Sequence, residues 1–116
     1  METPSLDYFD RIFDRRGAEF WELVAALEDE LTSYAADLGP LVAARDGAGL
    51  ARLRHSHRPL VENLRLAGTR SLEQELRQAL DEGAPGTRLE DLVGQLEGLL
   101  LAQAQTLRED RGRAGF

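Results

Sequence analysis

The chain has no cysteine, no lysine and no long apolar run. Without cysteine, disulfides and thiolate metal sites are excluded, while the redox compartment stays open. No stretch approaches the ~20 apolar residues of a membrane span. The opening METPSLDYFDRIF lacks the basic start and apolar block of a secretory signal, so a cytoplasmic, non-membrane protein is expected. Also missing are a glycine-rich phosphate loop, a nucleophile elbow and a zinc motif, together with any strand-like alternation, internal repeat or long linker. Hydrolysis or group transfer by this chain alone is therefore not expected. All 14 cationic side chains are arginine, against 21 acidic ones, for a net charge of −7. That balance argues against a nucleic-acid binder, because neutralising phosphates needs a cationic surface.

What is present suits one soluble domain, 1–116. Its 116 residues are 42% hydrophobic and 30% charged, enough for one core and too few for two. Thr3 as N-cap and Pro4 in the first turn open a short helix whose Leu6, Phe9, Ile12 and Phe13 share a face and which Gly17 stops. From Ala18 to Ala44, Phe20, Leu23, Val24, Leu27, Leu31, Tyr34 and Leu38 form one helical stripe. Trp21 lies beside that stripe, and Gly39-Pro40 predicts a kink. Asp46 is the natural N-cap of a third helix, Ala48 to Leu66, closed by Ala67-Gly68-Thr69. Capping boxes at Ser71–Gln74 and Thr87–Glu90 open a fourth helix, with Leu72, Leu76, Ala79 and Leu80, and a fifth, with Leu89, Leu92, Val93, Leu96, Leu99, Leu100, Gln103 and Leu107. Gly83 ends the fourth, and Gly94 and Gly98 fall on the outer side of the fifth. The expected fold is all-α: an up-and-down four-helix bundle over 18–110, a short N-terminal helix (1–17) across one end, and a frayed tail at 111–116. The opening methionine and that tail lean towards a free-standing chain.

The third helix carries both histidines. At about 100° per residue, Leu50, Leu53, His57, Leu60, Val61 and Leu64 fall on one buried arc. His57 thus reads as a core histidine hydrogen-bonded to a neighbouring helix. His55 points the other way, with Ala48, Ala51, Pro59 and Glu62 along its face and Arg52 and Arg58 to either side. A neutral imidazole is a good nucleophile near its ordinary pKa of ~6.5. An exposed one with small neighbours and flanking guanidinium groups suits a phosphoryl group. Arg54 reads as a solvated helix-face charge, and Glu62 as a group that orients a ring N–H of His55 through water. A metal site from His55, His57 and Glu62 fails, because positions i and i+2 of a helix do not converge. Neither histidine has a glutamate three residues before it, so the Glu-x-x-His pattern of di-iron bundles is missing.

His55-Ser56-His57-Arg58-Pro59, followed by Arg65-Leu66, resembles the H-x-L-K-P subset of the histidine phosphotransfer (HPt) family, where a Gly-Leu or Gly-Ala follows the motif. The turn Arg45-Asp46-Gly47, the leucines before His55 and the following Leu72…Leu76 also fall in the family's register, from about Phe20 to Leu107. The resemblance implies a two-component phosphorelay carrier: His55 is the phosphoacceptor and Arg58 the phosphate support. Ala48, Ala51, Arg52, Pro59 and Glu62 would form the docking surface for a response-regulator receiver domain or a hybrid histidine kinase. It also implies a monomer with no cofactor of its own, Mg²⁺ residing on the receiver. Three positions depart from the family: His57 stands for its buried leucine, Arg58 for its lysine and Arg65 for its glycine. Arg65 is the feature that favours the alternative, an adaptor that binds a receiver without being phosphorylated.

Overall fold

The computed structural model describes residues 2–116 as six helices with no strand among them. These are α1 (Asp7–Ile12), α2 (Ala18–Ala43), α3 (Gly47–Ser56), α4 (Arg58–Asn63), α5 (Ala67–Asp81) and α6 (Gly86–Arg113). α2 and α6, of 26 and 28 residues, rise about 40 Å each at 1.5 Å per residue. They pack on one another and set the 48 Å long axis of the molecule. α5 packs against α6, α3 against α2, and α3 against α5. No helix of the described residues is long and apolar enough to cross a membrane.

The apolar stripes meet in one core. Phe20, Val24, Leu31, Tyr34 and Leu38 of α2 face Leu92, Leu96, Leu100 and Leu107 of α6, with Leu50, Leu60, Val61, Leu64 and Leu76 completing it. Leu23 and Leu53 are only partly buried, at its edge. α2 continues as one helix through Pro40. Asp46 caps α3 as expected, its carboxylate accepting the Gly49 N–H at 2.8 Å. A Cβ at position 49 would lie 2.8 Å from Leu41 Cδ2 and press on the capping Asp46 carboxylate, so a larger residue there would force both side chains to shift. Gly94 and Gly98 face open space.

Several boundaries differ from expectation. The third helix is two segments, α3 and α4, joined at His57, whose φ and ψ are −100° and 6°. Pro59 is the physical reason. It offers no N–H to the His55 carbonyl, and its ring crowds that carbonyl. Closure of that helix falls at Arg65, not at Ala67-Gly68-Thr69. Arg65 has φ +56°, and the Leu66 N–H bonds the Val61 carbonyl at 2.9 Å, a left-handed C-terminal cap. Arg45 (φ +51°) ends α2 in the same way, and Gly83 (φ +69°) ends α5. With the chain already turned at Arg65, α5 starts at Ala67, so Ser71 and Gln74 lie inside it and cap nothing.

The same holds at α6, which begins at Gly86 after Pro85, leaving Thr87 in its first turn. α1 starts at Asp7 instead of Pro4, and Gly17 is the N-cap of α2. The preceding residues are held out of helix by tertiary hydrogen bonds. Ser5 N–H donates to the Leu64 carbonyl (2.9 Å), and Gln103 Nε2 to the Glu2 carbonyl (2.8 Å). Finally, the tail is not frayed. α6 runs to Arg113, and Arg111 donates from Nε and Nη2 to the two oxygens of buried Glu28 at 2.6 and 2.9 Å. Its Nη1 holds the Phe116 carbonyl at 3.0 Å, which lets the Phe116 ring stack on Trp21.

Candidate functional site

His55 lies in the last turn of α3 and is exposed. It opens onto a groove of about 560 Å³ between α3–α4 and α5. Ala51, Arg54 and Arg58 line one wall, and Arg70, Glu73, Gln74, Arg77 and Asp81 the other. The groove thus gathers four arginines around one histidine in a chain whose net charge is −7.

The expected site residues divide. His55, Ala51 and Arg58 share the groove, whereas Ala48, Arg52, Pro59 and Glu62 are exposed outside its lining. Glu62 is engaged by two arginines. Its Oε1 accepts from Arg58 Nε at 3.0 Å and lies 3.2 Å from Arg70 Nη2, so it ties α4 to α5 and draws on the charge of both arginines. Arg54 is half-buried: it lines the groove, and its Nε is buried with no hydrogen-bond partner among the described residues.

Beneath this face lies a polar layer that reading the sequence missed. His57 packs inward as expected, with Nδ1 2.9 Å from Glu30 Oε2 on α2 and its ring stacked at 4.4 Å on Tyr34. The Tyr34 hydroxyl in turn donates to the Glu73 carboxylate of α5. Burial pushes the Glu73 carboxyl above its ordinary value. The Tyr34 hydrogen bond and the charges of Arg54, Arg70 and His57 oppose that rise. Tyr34 is held un-ionised by burial first and by the Glu73 charge second. The α5 wall did carry a signal in the sequence. Arg70, Glu73, Gln74, Arg77 and Asp81 recur at helical i, i+3, i+4, i+7 spacing, but a helix begun at Ser71 leaves Arg70 outside it.

The described residues bring no three His, Asp or Glu side chains together as a metal site. Comparison with known protein families, with curated proteins and with solved structures finds no match to this chain.

Proposed function

We propose that this protein is a phosphorelay carrier that accepts and donates a phosphoryl group on His55. The observation that carries the reading is the exposed His55 imidazole at a groove lined by Arg54, Arg58, Arg70 and Arg77. In the reaction, an imidazole nitrogen attacks the phosphorus of an aspartyl phosphate on a receiver domain. The P–N bond forms as the P–O bond to the aspartate breaks, and the ring's other nitrogen releases its proton. The receiver supplies Mg²⁺, and this chain supplies the nucleophile and cationic surroundings for the transferred charge.

Two departures from the HPt pattern are compatible with this reading. Arg65, where that family carries glycine, has φ +56°, a conformation that glycine takes without strain. Its side chain runs towards Asp7, 3.8 Å away, and lies outside the groove lining, which weighs against the adaptor reading. His57, where the family carries leucine, is packed inward with 14% of its side chain exposed. On this reading α2, α3–α4, α5 and α6 form the family's four-helix bundle, and the chain acts as a cytoplasmic monomer docking a receiver or hybrid histidine kinase.

The test is incubation with an aspartate-phosphorylated receiver and Mg²⁺, comparing wild type, His55→Gln and His57→Gln. Acid-labile, base-stable label is expected on wild type and His57→Gln and absent from His55→Gln. Label retained in His55→Gln overturns the assignment. A bound receiver with no label on any variant makes the chain an adaptor.

A further inference from the structure

We propose that Arg54, and not Arg58, is the principal ligand for a phosphate-type oxyanion held in the groove beside His55. The inference deepens the proposed function and rests on it only for the oxyanion's source, which is either the phosphoryl group of His55 or a free phosphate.

The four groove arginines are engaged differently. Arg58 directs Nε to Glu62 at 3.0 Å and is 68% exposed, so its charge is paired and screened by water. Arg70 shares the same Glu62 oxygen at 3.2 Å, and Arg77 has Asp81 at 3.8 Å. Among the described residues Arg54 alone of the four makes neither an ion pair nor a hydrogen bond, and its Nε–H is buried with nothing to receive it. An unsatisfied buried donor is a standing free-energy cost, which rotation of the guanidinium towards an oxyanion in the groove would relieve. Of the carboxylates on the facing wall, Glu73 accepts the Tyr34 hydroxyl and Asp81 lies 3.8 Å from Arg77, and neither pairs with Arg54. A guanidinium presents its N–H groups as a planar fork matched to two phosphate oxygens. Arg54 and His55 line one groove, so a phosphoryl group on the imidazole has this fork within the same recess.

The experiment follows the Arg54 Nε–H signal of the full-length chain by ¹H–¹⁵N NMR in two arms. One titrates inorganic phosphate into wild type, His55→Gln, Arg58→Gln, Arg54→Gln and Arg54→Lys. The other phosphorylates wild type with phosphoramidate, whose P–N bond is exchanged for one to His55 with release of ammonia. A saturable shift of Arg54 Nε–H is expected in at least one arm. Phosphate affinity should fall about tenfold or more in Arg54→Gln, with Arg54→Lys intermediate. It should fall less than about twofold in Arg58→Gln. A shift in the phosphoramidate arm alone makes the oxyanion that of phosphohistidine, whereas a shift persisting in His55→Gln makes it free phosphate. No shift in either arm, or a loss in Arg58→Gln equal to that in Arg54→Gln, overturns the proposal. The wild-type signal decides the matter even if Arg54→Gln fails to fold. Phosphate binding with no transfer from any receiver would sink the phosphorelay reading and leave this one standing.

Discussion

Two buried glutamates, Glu28 and Glu73, show how differently this protein treats the same group. Glu28, on α2 and 3% exposed, is met by the fork of Arg111 at 2.6 and 2.9 Å, with Arg108 Nε at 3.5 Å. Glu73, on α5 and 6% exposed, receives only the neutral Tyr34 hydroxyl. A buried charge that keeps its ion pair is tolerated, and one that loses it is strongly destabilising. Glu28 therefore reads as a clamp that fixes the C-terminal turn against α2. Glu73 reads as a strained group beside a cationic groove, where nearby arginines act on it at a distance and none pairs with it within 4.0 Å among the described residues.

One substitution made at both positions should give opposite results. Glu28→Gln carries the largest expected effect. Loss of the paired charge should lower Tm by several degrees and shift Trp21 fluorescence to the red as Phe116 leaves its ring. An unchanged Tm would mean the clamp is ornamental and the contrast false. Next in size is Tyr34→Phe, which removes the only donor to Glu73 among the described residues. It should cost about 1–3 kcal/mol in urea unfolding, the range for a buried acceptor left unsatisfied. A neutral result would show that water reaches Glu73.

The smallest effect belongs to Glu73→Gln and lies in its pH dependence. Burial raises the folded-state pKa of Glu73 above the ordinary 4.5. The folded protein thus holds this proton more tightly than the unfolded chain. The resulting stability is fully present below the ordinary value and is lost as pH rises through the folded one. Glutamine cannot ionise, so the Tm of Glu73→Gln relative to wild type should improve as pH climbs above about 4.5. A difference that stays flat with pH would place Glu73 with the ordinary carboxylates.

Much of the architecture was legible because apolar spacing reports helix faces directly. The stripes of α2 and α6, the Asp46 cap and the opposed directions of His55 and His57 all follow from periodicity. The misplaced boundaries have a shared cause. Ser71 and Thr87 carry good capping chemistry, yet the chain had already turned at Arg65 and at Gly83. Arginine in a left-handed cap leaves no signature, since the conformation costs a side chain roughly 1–2 kcal/mol and is usually given to glycine. The ordered C-terminus was equally hidden, because Arg111 and Glu28 lie 83 positions apart and meet only once α2 and α6 pack.

For the candidate site, the sequence by itself determined that His55 faces out and His57 faces in, since a helical repeat leaves no alternative for residues two apart. It also determined that every cation near them is an arginine. Which arginines gather at His55 was decided only by tertiary structure. Packing α5 against α3 and α4 brings Arg70 and Arg77 to the groove, sets Arg70 against Glu62, and leaves Arg54 with a buried, unanswered N–H. Such pairings depend on distances between helices, and local periodicity contains no information about them.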